Sequence, residues 1–374
     1  QPLIQMQDMK KVHLFFPEND LALARDLENY TPPPAAARLR RAGEVLPLWY
    51  AADGDSFIST GVNAAWLRGM QDAFGMRVGV FDYHPEGCTA APWGWSRASR
   101  RMYLLRGFAP DALPDDTRLA RIRELSHRRT AAQIAGRLAG LAGTDMTPPA
   151  VECTTMTEVA DFVDRNGDVL LKLPWSSSGR GLVKVDPRTL SAQTGMIEGM
   201  IKRQGSVMAE KFYDKAVDFA MLFTMTGGRC EYNGLSLFAT DRLGSYTGNT
   251  LAPQERLAEL IAHPALSCLS AALPQVLQDI IGTDYDGPIG VDMMTLTDGR
   301  IDPAVELNLR MTMGHLCLRL YDRYIAPGAE GTFAVNPAGP AAAGADVFNG
   351  RLRSGAIDLN PPGSDFRFVV NINK

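Results

Sequence analysis

The sequence has few of the features that mark disulfide-bonded, zinc-binding or membrane proteins. Its five cysteines are scattered and form no CxxC pair, and its five histidines show no HExxH spacing. These absences argue against a disulfide framework and a zinc site, and they favour a reducing compartment, the cytoplasm. No run of 18 apolar residues occurs, so neither a transmembrane helix nor a membrane partner is expected. The first ten residues lack the apolar core of a signal peptide.

Neither sign of charge dominates the 374 residues. Lys and Arg number 38, Asp and Glu number 42, and the formal net charge is -4. A general nucleic-acid-binding protein would be strongly basic, so no nucleic-acid partner is expected. Hydrophobic residues make up 45% of the chain, as in ordinary globular proteins, and the length predicts two to three domains.

The Walker A pattern for nucleotide binding is also absent, but another candidate phosphate loop is present. Lys172 lies on a predicted strand in LLKLPWSSSGRGL, directly before a loop of small residues that let the backbone approach an anion. The loop residues are Ser176, Ser177, Ser178, Gly179 and Gly181. The loop separates two predicted strands, so it is not the strand-to-helix turn of a dinucleotide-binding fold. The alternative is a hairpin tip with a solvated lysine.

Strands and helices alternate over the first 120 residues, which predicts a parallel α/β domain. Apolar runs at 12–16, 45–50 and 76–83 are predicted strands, and residues 64–74 are a predicted helix. A helical stretch over 115–143, broken near Ser126, follows.

Later residues favour antiparallel pairing. Hairpins are predicted over 168–185, 217–240 and 289–309. Residues 326–363, rich in Ala, Gly and Pro, are predicted to be loop or loosely attached structure, and 365–372 a last strand.

Three oxygen-bearing side chains are predicted to converge on the third hairpin. With its turn at 298–299, Asp292 and Glu306 stand nearly opposite each other, and Asn308 shares the face of Glu306. Hard cations such as Mg²⁺ prefer oxygen ligands of this kind, usually completed by substrate phosphates. The pattern therefore predicts a magnesium site, and the alternative is a solvated face without an ion.

Arg310 follows two residues after Asn308 and shares its face if the strand continues. A guanidinium there can bind a transferring phosphoryl group or an acyl-phosphate oxyanion. An ion pair with Glu306 is the alternative, and the two are compatible.

A further strand end carries Glu210, Lys211 and Phe212, with Asp218 soon after. Exposed backbone at a strand end can pair with the edge of adenine, and a nearby acid can hold ribose hydroxyls. An ordinary surface strand end is the alternative interpretation.

Taken in order, the strand lysine with its small-residue loop, the acid-bearing strand end and the D…ExN hairpin resemble the ATP-grasp superfamily over about residues 126–320. The run ELNLR at 306–310 looks like the ExNxR element of that family. The resemblance implies a mixed α/β (α+β) fold, in which an N-terminal parallel domain precedes a two-subdomain ATP-grasp fold with antiparallel sheets. The implied segments are 1–120 for the N-terminal domain, 121–213 for the small subdomain with the phosphate-covering loop, 214–330 for the large subdomain with the metal site, and 331–374 for a C-terminal extension.

The resemblance also implies ATP and two Mg²⁺ ions as cofactors, with Mn²⁺ as a substitute. Lys172 and the loop would contact phosphates, the backbone of 210–212 would contact adenine, and Asp218 would contact ribose. The implied metal ligands are Asp292, Glu306 and Asn308.

The family usually carries a second basic phosphate contact upstream, near a helix start. Here SHRRT leaves His127, Arg128 and Arg129 open, and Arg128 is favoured. Gly290 stands where many of these ligases have an arginine, so Arg310 would be the basic group at an acyl phosphate.

The resemblance implies a ligase that activates a small-molecule carboxylate as an acyl phosphate for attack by an amine or thiol. Lys172 and Arg310 would be its catalytic residues. The acceptor is a small molecule or a peptide, and a homodimer is the default expectation. The alternatives are a phosphotransferase or carboxylase-like enzyme of the same fold, and a non-catalytic nucleotide-binding protein.

Overall fold

The computed structural model describes residues 9–141, 144–176, 181–241 and 245–373. Within it the chain divides into two compact units. The first unit comprises Gln1–Ala120, Thr247–Leu257 and Arg310–Lys374, and the second comprises Arg121–Tyr246 and Ala258–Leu309. The four segments expected from the sequence remain a prediction.

The secondary structure alternates between helices and mostly short strands. The strands are β1 Lys10–Leu14, β2 Ser56–Phe57, β3 Gly79–Val80, β4 Cys88–Pro92, β5 Val151–Cys153, β6 Val169–Lys172, β7 Leu182–Val185, β8 Val207–Lys211, β9 Lys215–Thr226, β10 Arg229–Thr240, β11 Tyr246–Leu251, β12 Gly287–Leu296, β13 Ile301–Asn308, β14 Gly331–Pro337, β15 Asp346–Phe348, β16 Arg351–Asp358 and β17 Phe366–Ile372. The helices are α1 Asn19–Arg25, α2 Pro34–Gly43, α3 Ala64–Phe74, α4 Arg97–Leu104, α5 Asp116–Leu125, α6 Arg129–Leu138, α7 Met156–Asn166, α8 Leu190–Gln204, α9 Gln254–Ile261, α10 Leu266–Ile281 and α11 Met313–Tyr324.

The first unit contains a parallel sheet in the order β3-β2-β1-β4. Val12 in β1 pairs with Ser56 on one side and with Ala90 on the other. The buried aromatic rings of Phe15 and Trp93 pack edge-to-face beside this sheet, with centroids 4.9 Å apart. The predicted parallel α/β domain is therefore confirmed, although the strand predicted over 76–83 shrinks to Gly79–Val80.

The strand predicted over 45–50 is wrong, because residues Leu46–Trp49 form a 3₁₀ helix. Pro47 occupies its first turn, where a fixed φ favours helical geometry and the missing N–H costs nothing. The run is apolar because it is buried on all sides. The indole N–H of Trp49 donates a hydrogen bond to the Leu359 carbonyl oxygen at 2.7 Å. A short buried run does not by itself distinguish a strand from a helix.

The prediction of loop over 326–363 is also wrong. β14 pairs with β17 over seven residues, and β16 pairs with both β17 and β15. The glycines that suggested loop allow close approach of backbones: a Cβ on Gly331 would lie 2.1 Å from the Asn371 carbonyl oxygen. Gly355 has φ +85°, and its Cβ would lie 1.9 Å from the Gly344 carbonyl oxygen. The last strand is confirmed as β17.

The second unit contains two antiparallel sheets. One has the order β5-β8-β6-β7 and packs α7 and α8 over a core that includes Val163, Leu171 and Ile197. In the other, β13, β12, β9 and β10 lie side by side in that order, and α6 packs on β13. All three predicted hairpins are present, and the expected mixed α/β fold class with parallel and antiparallel sheets is confirmed.

The five cysteines all lie in described parts of the chain, and all are free thiols. Among the described helices, none alone has the length and apolarity to cross a membrane, although the bent pair α9 and α10 passes that test jointly.

Candidate nucleotide and metal site

The acid-bearing hairpin brings Asp292 and Glu306 together, which were predicted to stand nearly opposite each other, and it contains a bulge that was not predicted. β12 and β13 pair so that Asp292 lies directly opposite Glu306, and Gly290 lies opposite Asn308. Directly opposed residues of an antiparallel pair share a face, so the three oxygen-bearing side chains lie on one face. Asn308 is 4% exposed, whereas Glu306 keeps 24% of its side chain accessible.

This face contains the donor types of a hard-cation site but not a complete set. In the described parts of the chain, no three acidic, histidine or cysteine side chains come together as a metal site. A magnesium ion at Asp292 and Glu306 would therefore need the amide oxygen of Asn308 and oxygens from a substrate. Mg²⁺ commonly binds in this way, through one or two carboxylates plus phosphates.

Asp218 joins the same face from the neighbouring strand. β9 pairs with β12 so that Ala220 opposes Asp292 and Asp218 opposes Met294. The Asp218 carboxylate contacts the Lys215 ammonium group and accepts a hydrogen bond from the Thr240 hydroxyl at 2.8 Å. It is thus held at the strand start, and the ribose contact that the resemblance implies stays a prediction.

Arg128 links the acid-bearing hairpin to the candidate phosphate loop. One of its terminal nitrogens lies 3.1 Å from a Glu306 carboxylate oxygen and donates to the Ser176 hydroxyl at 3.2 Å. Its Nε donates to the Leu173 carbonyl at 3.0 Å, and 9% of the side chain is exposed. Of the three upstream candidates, Arg128 is the one that contacts both predicted site elements.

His127 and Arg129 point to other partners. The His127 ring is buried edge-to-face on Trp175, 4.8 Å between centroids. Burial lowers the pKa of His127 to about 4, against the opposing effect of Glu152, so the ring is neutral near pH 7. Arg129 lies 3.7 Å from Glu124 and from Glu152 and is 41% exposed. The described side-chain partners of these two residues thus include Trp175 and two glutamates.

The described ends of the phosphate loop are anchored. The Leu173 amide donates to the Gly181 carbonyl at 3.0 Å, and the Trp175 amide donates to the Gln204 side chain at 2.9 Å. Gly181 has φ +72°, and a Cβ there would lie 2.6 Å from the Leu173 side chain, so the position requires glycine. Ser177, Ser178 and Gly179 lie outside the described residues.

Lys172 ends β6 inside a recess and forms an ion pair there. Its ammonium nitrogen lies 2.6 Å from a Glu210 carboxylate oxygen, and the two side chains are only 6% and 10% exposed. Lys172 and Glu210 line the same recess as Arg128 and Asp302. Two cationic side chains of the kind that bind phosphate therefore lie in one region of the second unit.

Asp302 is a candidate functional residue that the sequence reasoning missed. It lies on the face of β13 opposite Met294, after a bulge in which Met293 faces residues 303–305. Its carboxylate accepts from the Ala304 amide at 3.2 Å and is 7% exposed. Burial raises the pKa of Asp302 to about 6, and the nearby Glu210 adds to this. Aspartate before proline in an apolar strand was the available signal.

The strand end at Lys211 and Phe212 lies at the start of β6, whereas the candidate loop follows the other end of that strand. The Phe212 amide donates to the Asp168 carbonyl at 2.8 Å, and the Lys184 ammonium lies 3.8 Å from the centre of the Phe212 ring. Lys211 is exposed, and its pairing with Val169 closes the β6–β8 ladder. The adenine contact implied for these residues stays a prediction.

Arg310 was expected to share the face of Asn308 if the strand continued to it. The strand does not continue, because β13 ends at Asn308. Its guanidinium forms a two-pronged ion pair with Asp20, at 2.7 and 3.0 Å. This pair lies within the first unit. The alternative was an ion pair between Arg310 and Glu306. In this structure Arg310 pairs with Asp20, and Glu306 contacts Arg128.

Known structures resemble the whole chain in fold. A biotin carboxylase from Campylobacter jejuni, determined as a complex with β,γ-ATP, matches with a TM-score of 0.53 and 12% identity over 97% of this chain and 87% of that one. The biotin carboxylase domain of the 2-oxoglutarate carboxylase from Hydrogenobacter thermophilus, with MgADP and bicarbonate, matches with a TM-score of 0.50 and 12% identity over 98% of this chain and 86% of that one. An N5-carboxyaminoimidazole ribonucleotide synthetase in its ADP complex matches with a TM-score of 0.50 and 10% identity over 98% of this chain and 93% of that one.

The chain has the ATP-grasp fold. The resemblance proposed from three sequence elements is thereby confirmed at the level of architecture. No protein-family model matches the chain, and no curated protein matches it. At 10–12% identity the likeness concerns the fold, so the chemistry has to be argued from this chain's own residues.

Proposed function

We propose that this ATP-grasp protein is an ATP- and Mg²⁺-dependent ligase that activates a carboxylate as an acyl phosphate for attack by an amine or a thiol. The observation that carries the proposal is the contact between Arg128 and Glu306. It joins the side of the site suited to phosphate to the side suited to a divalent ion. The fold it shares with ATP- and ADP-binding carboxylases and ligases supports the same conclusion.

The donor set fits magnesium and a nucleotide. Asp292, Glu306 and Asn308 would hold the ions, which supply positive charge between phosphate oxygens. Lys172 and Arg128 would bind the phosphates, with the loop at 175–181 over them. Both cations are already paired with carboxylates, so a nucleotide phosphate would replace a protein carboxylate and not bulk water.

The chain's own contribution to phosphoryl transfer is positioning and charge neutralisation. Phosphoryl transfer requires little covalent help from a protein, because the developing charge is spread over phosphate oxygens. The resemblance implies that Arg310 would bind the oxyanion of the acyl phosphate, and in this structure Asp20 holds its guanidinium by an ion pair. Arginine suits this task because its planar fork binds two oxygens at once.

A second candidate is a carboxylase-like enzyme in which the activated carboxylate is bicarbonate. The fold likeness to two biotin carboxylase structures, one of which contains bicarbonate, favours it. The two candidates differ in product: a ligase forms a new bond between an organic acid and an amine or thiol. The acceptor is proposed as a small molecule, and a cytoplasmic location fits the free thiols.

The test is turnover of ATP by the purified chain with Mg²⁺ and panels of carboxylates, with and without amines and thiols. The expected result is release of ADP and phosphate that requires a carboxylate and increases with an acceptor. Glu306→Ala should abolish that release, whereas the matched control Glu158→Ala, an exposed cap residue of α7, should retain it. If turnover in Glu306→Ala equals that of the wild type, the ligase proposal fails. Phosphate release with bicarbonate alone would favour the carboxylase.

A further inference from the structure

A groove between three helices of the second unit is not used by the proposed reaction. Residues of α5, α6 and α10 line it, and its volume is about 430 Å³. Small-molecule sites typically have volumes of about 300–1,000 Å³, so the groove has room for a ligand of that kind. Its charged lining residues are Arg121, Glu124, Arg129, Arg137 and Asp279.

The sequence of α6, RTAAQIAGRL, places different residues on two faces of the helix. The small residues Ala131 and Ala135 are buried and line the recess behind the candidate phosphate site. Arg129, Gln133 and Arg137 recur every four residues on another face and line the groove. A ligand in the groove would therefore leave the recess free, and the two sites are distinct.

Two of the three groove arginines have no hydrogen-bonded carboxylate within the part of the chain that the structure describes. Arg129 lies 3.7 Å from Glu124 and from Glu152, and Arg137 lies 3.9 Å from Asp279. These separations are longer than hydrogen bonds, and exposed ion pairs of this kind contribute little. The two arginine side chains are 41% and 61% exposed, so their N–H donors are accessible to a ligand.

The carboxylates that face these arginines are held by other side chains. Each accepts a shorter hydrogen bond through its other oxygen, and the pairs are Glu124 with Arg121 at 2.8 Å, Glu152 with Ser206 at 2.7 Å and Asp279 with Gln275 at 2.7 Å. These bonds hold the acids back from the two guanidinium groups. The acids therefore balance the charge of the groove without taking up the donors of the two arginines.

We propose that this groove is a second ligand site, which binds a small organic dianion with one anionic group on Arg129 and the other on Arg137. A planar guanidinium binds two oxygens of a carboxylate or phosphate at once, which suits it to either kind of anion. The inference goes beyond the proposed function, because neither a nucleotide nor a metal ion takes part in it.

The spacing of the two arginines favours two separate anionic groups over one compact anion. Arg137 follows Arg129 by eight residues within α6. A rise of about 1.5 Å per residue places their Cα atoms roughly 12 Å apart along the helix axis. Two anionic ends joined by an organic spacer fit this separation. The groove lining also includes Leu125 and Ile280, whose apolar surface would contact the spacer.

The experiment uses hexane-1,6-diol bisphosphate, which carries one phosphate at each end of its spacer, as the probe. Calorimetric titration of the full chain is done with saturating Mg²⁺-ADP, so that the proposed nucleotide site is occupied. The bisphosphate should bind at least about tenfold more tightly than hexyl phosphate, which has one anionic end. Equal affinities for the two would overturn the inference.

Octanedioate, a dicarboxylate of similar length, identifies the kind of anion. If it binds more tightly than the bisphosphate, the groove is a carboxylate site, and if it binds more weakly, the groove is a phosphate site. Either result supports the inference, whereas binding of neither compound contradicts it.

Two variants with opposite expected effects connect the binding to the groove. Arg137→Gln should weaken binding of the bisphosphate about tenfold, and the control Arg165→Gln, at an exposed arginine of α7, should not. Asp279→Asn should tighten binding roughly twofold to fivefold, because it removes the carboxylate that faces Arg137. A gain in affinity cannot result from partial unfolding. An unchanged affinity in Arg137→Gln, or a loss in Asp279→Asn, would show that the groove is not the binding site.

The inference and the proposed function can fail separately. If the chain binds no ADP, the proposed function fails, while the two variants still decide whether the groove binds the dianion. If ADP displaces the bisphosphate from the wild type, the probe occupies the nucleotide site and the inference is wrong.

Discussion

Two hairpins of the second unit carry opposite charges. The β6–β7 hairpin carries Lys172 and the small-residue loop, and the β12–β13 hairpin carries Asp292, Asp302 and Glu306. In each case the charged group is neutralised by a neighbour from another element: Lys172 by Glu210 from β8, and Glu306 by Arg128 from the start of α6. Removing one partner of a buried pair is strongly destabilising, because it leaves an uncompensated charge.

If the proposed function is right, the two halves of the site would be coupled through Arg128, which contacts Glu306. A divalent ion bound by Glu306 would leave the guanidinium available to a phosphate. Binding of the ion and binding of the nucleotide should then favour each other, and by linkage the effect is reciprocal.

The largest effect is expected on the acid-bearing hairpin. Glu306→Gln keeps the shape of the side chain but removes its charge, so turnover should fall on the order of 10³-fold, because metal charge stabilisation is worth several kcal/mol. Steady-state phosphate release measures this. Glu158→Gln is the control, and a loss of less than tenfold in Glu306→Gln would show that this carboxylate holds no catalytic ion.

The second prediction concerns Asp302 and pH. Its pKa of about 6 in the folded chain lies above the ordinary 3.8, so the folded state binds the proton more tightly. The stability contributed by the protonated group is therefore complete below about pH 4 and lost as pH rises through 6. The free energy of unfolding of wild type minus that of Asp302→Asn should fall by roughly 2 kcal/mol between pH 4 and pH 7. Urea unfolding across that range measures it.

The opposite sign, or a flat difference, would contradict the buried position of Asp302. If the predicted sign holds, Asp302 costs stability at neutral pH. Buried charges that cost stability are common at functional sites.

The third prediction separates the two adjacent arginines. Arg128→Gln should weaken Mg²⁺-ADP binding roughly tenfold to a hundredfold, since a hydrogen bond to a charged group contributes about 1.5–3 kcal/mol. Arg129→Gln, one residue on, loses only partners at 3.7 Å and should bind as wild type does. Calorimetry on both variants decides the question, and equal losses would mean that Arg128 is not the specific phosphate contact.

The smallest effect is expected at the base of the loop. Gly181→Ala introduces a side chain at φ +72° and against Leu173, so it should destabilise the chain by about 1 kcal/mol. Gly195→Ala, within α8 where nothing lies within 4 Å of a new Cβ, is the control and should not destabilise. Thermal unfolding compares the two. Equal melting temperatures would argue against the left-handed turn at Gly181.

Local patterns in the sequence predicted most of this region. The Asp-Gly turn and the two-residue alternation were enough to place Asp292 and Glu306 near each other on paired strands, whereas their direct opposition depends on the bulge between Asp292 and Met294. Lys172 on a strand before the loop was likewise readable. Arg128 was favoured over its neighbours by the resemblance, and the structure adds the contact with Glu306.

What could not be predicted depends on contacts distant in sequence. The bulge that directs Asp302 into the recess depends on a neighbouring strand, and its raised pKa depends on residues from β6 and β8. The strands β14 and β16 were hidden because their glycines serve close backbone approach, which composition cannot distinguish from loop. The 3₁₀ helix at Leu46–Trp49 was hidden because burial on all sides removes any periodicity.

The most direct test of the coupling at Arg128 and Glu306 is the effect of Mg²⁺ on ADP affinity, measured by calorimetry in wild type and in Glu306→Gln. Mg²⁺ should tighten ADP binding at least about tenfold in wild type, because the ion would free Arg128 for phosphate. In Glu306→Gln that dependence should disappear, and Mg²⁺-free ADP should bind more tightly than it does to wild type. An equal Mg²⁺ dependence in both proteins would contradict the account.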